Sequence, residues 1–82
     1  MMSLSAEIKA AILLVLPDAE VHVHDPDGEH FQAIVISPSF VGMPLVRQHQ
    51  LAMNALKEQF KEKVHAVALK TFTPEKWAGH SG

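Results

Sequence analysis

The sequence predicts an α+β fold: a two-layer sandwich with helices on one face of a three-stranded mixed sheet. Three observations carry this expectation. Apolar residues recur at steps of three and four in two segments, one N-terminal and one central. Between them, two extended segments flank an acidic turn, which suits an antiparallel hairpin. A third strand-like run follows the central helix, and a strand reached by a helical crossover can lie parallel to a hairpin strand.

"SLSAEIKAAILLVLPDA" reads as the first helix, with Ser3 or Ser5 placed to cap its orphan amides. Ile8, Ala11, Ile12 and Val15 form its apolar stripe, and Pro17 ends it because the residue before a proline avoids helical angles. "EVHVHD" alternates, with Val21 and Val23 on one face and His22 and His24 on the other. "DPDGE" is a turn: proline sets φ, aspartate bonds nearby backbone and glycine accepts positive φ. "HFQAIVIS" is the second strand, and "PSFVGMP" a loop bounded by Pro38 and Pro44.

"PLVRQHQLAMNALKEQFKEK" is the long helical segment, with Pro44 at a tolerated first-turn position. Its predicted stripe is Leu45, His49, Ala52, Met53, Leu56 and Phe60. Periodicity also allows a break into two helices over residues 59–63. "VHAVALKTF", residues 64–72, is the third strand. "TPEKW" is a closing turn with Thr73 as cap, Pro74 at the first position and Trp77 folding back on the core; "AGHSG" is a frayed tail. The chain has no internal repeat or linker, so residues 1–82 form a single domain with an ordered core over about 4–78.

Composition narrows the function. A chain of 82 residues, 48% hydrophobic and 20% charged, suits one small globular core. The longest apolar run, "AAILLVL", falls short of the ~20 residues that span a bilayer. No basic region and cleavage site mark a signal peptide. Zero cysteines exclude disulfides, thiolate metal sites and cysteine nucleophiles, and fit a cytoplasmic chain. A net charge of −2 argues against a surface that seeks nucleic acid everywhere. There is no Gly-rich phosphate loop and no "HExxH", and the serines sit at caps and turns; the chain is expected not to be an enzyme.

The chemistry concentrates in "VHVHDPDGEHFQ", which gathers His22, His24 and His30 within nine positions. They could be metal ligands, pH-sensing groups or solvated hairpin residues. The His-x-His spacing of His22 and His24 can chelate zinc, nickel or copper, yet no carboxylate or cysteine pattern completes a site. His49 lies on the helical stripe and reads as a packed, hydrogen-bonded residue. His65, taken alone, shares a strand face with Val67 and Leu69 and reads the same way. His80 falls in the tail. Among the cations, Arg47, Lys57 and Lys61 could meet phosphates along the long helix, although Lys57, Glu58, Lys61 and Glu62 also screen one another.

Several of these segments together resemble the BolA family, in particular its short bacterial IbaG/YrbA-like branch. They are "HFQAIVIS", "FVGMPLVRQHQL" and "VHAVALKTFTPEKW". Phe40, Gly42, His49, Leu51, Val64, His65, Ala66, Thr73, Pro74 and Trp77 match the family pattern in order. The resemblance covers roughly residues 8–77. It implies an α-β-β-α-α-β order similar to class II KH domains, though no "GxxG" loop is present.

The resemblance further implies a non-enzymatic adaptor that binds a monothiol glutaredoxin with a "CGFS" site. The pair would share a [2Fe–2S] cluster with glutathione. His65 would be one ligand. The hairpin turn would supply the other, His30 ahead of His24; cysteine-bearing relatives place that ligand where this chain has Asp27. Histidine on one iron is known cluster chemistry, as in Rieske centres, and acid would release it, which suits a carrier or sensor. The expected docking segment is "KTFTPEKW": Lys70, Thr71, Phe72, Thr73, Pro74 and Trp77. The sequence leaves the oligomeric state open, a homodimer being one option for the chain alone. The family also suggests an alternative from another class, a DNA-binding transcriptional regulator using Arg47, Lys57 and Lys61.

Overall fold

The computed structural model describes residues 3–27, 29–61 and 66–80. Ser3 is the cap of the first helix, α1 (Leu4–Val15): its side-chain oxygen accepts from the Ala6 amide at 3.2 Å. Ser5 has a different task, donating to Asp25 at 2.6 Å and tying the start of α1 to the hairpin turn. Ile8, Ala11 and Ile12 are buried as the spacing predicts. Val15, however, is 44% exposed, and the last buried residue on that stripe is Leu16, whose amide still donates to Ile12.

The hairpin strands are β1 (Glu20–His24) and β2 (Phe31–Ile36), antiparallel, with Val21 opposite Val35 and His24 opposite Gln32. His30 therefore belongs to the turn, not to the second strand. The third strand, β3 (Val67–Phe72), runs parallel to β2, with Ala33 opposite Leu69 and Ile36 opposite Phe72. The order β1-β2-β3 puts β2 at the centre of a mixed sheet. The start expected for β3, at Val64 and His65, lies outside the described residues.

"PSFVGMP" holds more structure than a loop. Pro38–Phe40 form a 3-10 turn that sends Phe40 fully into the core. The chain then reverses: Val41 has φ −60 and ψ 127, Gly42 has φ +80, and the Met43 amide donates to Phe40 at 2.9 Å. These are the angles of a type II turn, whose third residue needs positive φ, so glycine stands there.

The second helix, α2, spans Leu45–Gln59. Its buried face is Gln48, Ala52, Ala55 and Leu56, rotated from the predicted stripe; Leu45 is 64% exposed. Two features permit the rotation. Gln48 turns inward because its side-chain amide donates to the Met43 carbonyl at 2.8 Å. Ala52 and Ala55 are small enough for close packing of α2 against α1. A further helix beyond Gln59 would involve residues 62–65, which lie outside the described residues.

The last helix, α3, spans Pro74–His80, so Ala78 to His80 are helical rather than a frayed tail. Thr73 caps it as expected: its hydroxyl accepts from the Lys76 amide at 3.3 Å.

The core lies between the sheet and the α1–α2 pair. Ile8, Ile12, Val21, Ala33, Val35, Phe40, Leu56 and Leu69 are all within it. One face of the sheet is thus covered by α1 and α2, and the other carries Glu20, His22, His24, Gln32, Ile34, Lys70 and Phe72. No helix among the described residues is long and apolar enough to cross a membrane.

Candidate functional site

The hairpin turn is organised by one carboxylate. Asp27 Oδ1 accepts the backbone amides of Glu29 and His30 at 2.9 and 2.7 Å, which closes the turn. Its Oδ2 lies 2.7 Å from His30 Nδ1. An ionised carboxylate only accepts, so Nδ1 carries the proton and donates. In the neutral ring, Nε2 then keeps its lone pair, on a side chain that is 74% exposed. The hydrogen bond from the His30 side chain, followed by those of the two amides, holds the Asp27 carboxyl far below the usual carboxylate range. The same bond to Asp27 raises His30 above the ordinary histidine value.

The other histidines are arranged differently. His22 donates from Nε2 to Glu20 at 2.6 Å and stacks on Trp77, with centroids 5.8 Å apart and planes 25° apart. His49 donates from Nε2 to the Leu69 carbonyl at 2.6 Å, joining α2 to β3 in the structural role expected of it. His24 is exposed on the open face of the sheet, at the turn end of β1. His65 lies outside the described residues, among which no three His, Cys, Asp or Glu side chains gather as a metal site.

The residues of "KTFTPEKW" divide between two faces. Lys70 and Phe72 point to the open face, where Trp77 packs on Phe72 at 5.3 Å. Thr71 points the other way and is only 6% exposed, which removes its side chain from the expected docking surface. Strand alternation is the reason: neighbouring residues face opposite sides. Thr73 is occupied as the α3 cap, and Pro74 is exposed. Above the aromatic patch, Gln32, Ala33, Ile34, Ala68 and Lys70 line a shallow pocket of about 120 Å³.

Sequence reasoning did not join His22 to this patch. Its signal was the alternation of "EVHVHD", which put His22 on the wet face. That the same face carries Lys70, Phe72 and Trp77 follows only from the pairing of β3 with β2.

Arg47, Lys57 and Lys61 are all exposed. Ten positions separate Arg47 from Lys57 in α2, so they stand ~15 Å apart along the axis and about 80° apart around it. Lys61 lies past the end of the helix. A second cluster, away from the hairpin turn, joins Asp18 to Ser37 and Ser39, whose hydroxyls each donate to it at 2.8 Å. Ser37 is fully buried, so this clasp fixes the entry to the 3-10 turn. The hydrogen bonds from Ser39 and then Ser37 lower the Asp18 carboxyl.

Comparison with known proteins places these features in context. The family model of the BolA-like proteins matches residues 4–76. The acid stress protein IbaG of Escherichia coli strain K12 is 38% identical over 73 residues, 88% of this chain and 86% of that one. The DNA-binding transcriptional regulator BolA of Haemophilus influenzae is 31% identical over 72 residues, covering 87% of this chain and 70% of the relative. Among solved structures, a bolA protein homologue from Coxiella burnetii superposes with a TM-score of 0.76 at 34% identity, covering 95% of this chain and 99% of the other.

Proposed function

Because the chain belongs to the BolA-like family, we propose that it is a non-enzymatic cytoplasmic adaptor for a monothiol "CGFS" glutaredoxin. Together the two proteins hold a bridging [2Fe–2S] cluster with glutathione, for cluster trafficking or for iron and redox regulation. The cluster is cargo shared by the pair. The observation that carries this reading is His30: an exposed imidazole at the hairpin tip, with Nδ1 spent on Asp27 and Nε2 open, in a chain that has no thiolate to offer. Nitrogen ligation of one iron needs such a neutral imidazole with an exposed lone pair. His65 supplies the other ligand in this reading, with His24 as the alternative to His30. Lys70, Phe72, Pro74 and Trp77 supply a docking face that is partly aromatic and partly cationic, and aromatic anchors are what protein interfaces favour.

The test is co-expression with a CGFS glutaredoxin and anaerobic purification with glutathione. Visible absorption and circular dichroism then compare the wild type with His65→Ala, His30→Ala and His24→Ala. We expect a 1:1 coloured complex whose charge-transfer bands differ from those of the glutaredoxin alone and change with His65→Ala. The turn variant that also changes them names the second ligand. A colourless mixture without complex would sink the adaptor.

A second reading follows from the relative named as a DNA-binding transcriptional regulator. Exposed Arg47, Lys57 and Lys61 would make its phosphate contacts. Salt-sensitive retardation of duplex DNA, abolished by charge reversal at Lys57 and Lys61, is the result that would favour it.

A further inference from the structure

We infer that Asp27 is a positioning residue for His30: it holds the imidazole as the Nδ1–H tautomer and so presents Nε2 outward as the ligating nitrogen. This rests on the adaptor reading above and adds to it the means by which the turn prepares its ligand.

The argument is geometric. Asp27 Oδ2 is 2.7 Å from His30 Nδ1, and the carboxylate can only accept. The carboxylate is itself oriented, because its other oxygen is held by the Glu29 and His30 amides at 2.9 and 2.7 Å. Three hydrogen bonds from a two-residue span therefore fix the turn, the carboxylate plane and the ring together. Metal-bound histidines commonly donate their second ring N–H to a carboxylate, which sets the tautomer and the ring orientation.

The other described histidines with hydrogen-bonded rings are committed the opposite way. His22 spends Nε2 on Glu20, and His49 spends Nε2 on the Leu69 carbonyl. His30 alone among these three keeps Nε2 open, and it does so at an exposed tip.

Asp27→Asn separates this role from turn closure. Asparagine Oδ1 can still accept the two amides, but its NH2 group would donate toward His30 Nδ1 and favour the Nε2–H tautomer. The first measurement is long-range 1H–15N correlation on the free, 15N-labelled chain at pH about 8.5, well above the ordinary histidine pKa. Wild type should show a protonated Nδ1 and a lone-pair Nε2 at His30, and Asp27→Asn should shift the balance toward Nε2–H with the Glu29 and His30 amide shifts preserved. The second measurement is the rate of cluster loss from the glutaredoxin complex. It should rise about tenfold or more in Asp27→Asn, as loss of an outer-sphere carboxylate usually costs. An Nε2–H tautomer in the wild type overturns the inference, as does a coloured wild-type complex whose cluster lifetime ignores Asp27→Asn; in both cases the adaptor reading survives. A colourless wild-type mixture removes the adaptor reading and this inference with it.

Discussion

Asp18 shows how one side chain can stabilise a junction between elements. It receives hydroxyl protons from Ser37 and Ser39, and these bonds favour its charged form. A carboxyl with a lowered folded pKa adds stability that is present above the unfolded value of 3.8 and is lost as pH falls through the folded value. Urea unfolding of wild type and Asp18→Ala should therefore differ at pH 7 and converge in acid below that value. A gap independent of pH would show that the clasp acts through packing alone. His30 and His49 make the complementary point. Their surroundings in the sequence are equally polar, yet one ring is aimed outward by a carboxylate and the other is consumed by a strand carbonyl.

The secondary elements were readable to different degrees. Strict alternation made β1 and its wet face evident, because a period of two has no competing interpretation over five residues. The central helix was evident as a helix but not in its rotation. Ala52 and Leu56 lie on both the predicted and the observed stripes, and only packing chose Gln48 and Ala55 over Leu45. The closing helix was underestimated, since α3 is too short to be stable from propensity alone. It is held by Trp77, which packs on His22 and Phe72. Two aromatic contacts at about 0.5–1.5 kcal/mol each predict a local loosening of about 1–3 kcal/mol in Trp77→Ala. Hydrogen exchange should show α3 amides deprotected while β2 and β3 stay protected. Uniform deprotection of the sheet would mean that Trp77 supports the whole fold instead.

The two layers of the protein follow from where apolar surface is buried. One face of the sheet is closed by α1 and α2 around Phe40, Ile12 and Leu56, each fully buried. Leu56→Ala should cost about 2–5 kcal/mol, because the cavity it leaves is walled by packed neighbours. Small domains have only ~5–15 kcal/mol in total, so that variant should unfold at a markedly lower urea concentration. A loss below about 1 kcal/mol would show that the core repacks around the gap. The other face is only partly covered, where Trp77 packs on His22 and Phe72. Its covered end, under Trp77, adjoins an open stretch with His24, Gln32 and Lys70, close to the turn that carries His30.

Periodicity, caps and turn chemistry were enough to define the two long helices, the hairpin and the third strand of a mixed sheet. These depend on neighbours within a few positions, where 3.6-residue and two-residue repeats act directly. Tertiary structure alone decided that the parallel partner of β3 is β2 and not β1, that Thr71 is buried, and that His22, Phe72 and Trp77 form one patch. It also decided that Asp27 meets the ring of His30 and not merely its backbone. Register and side-chain aim are set by packing between segments far apart in the chain, and no local repeat encodes which of two compatible faces will meet its partner.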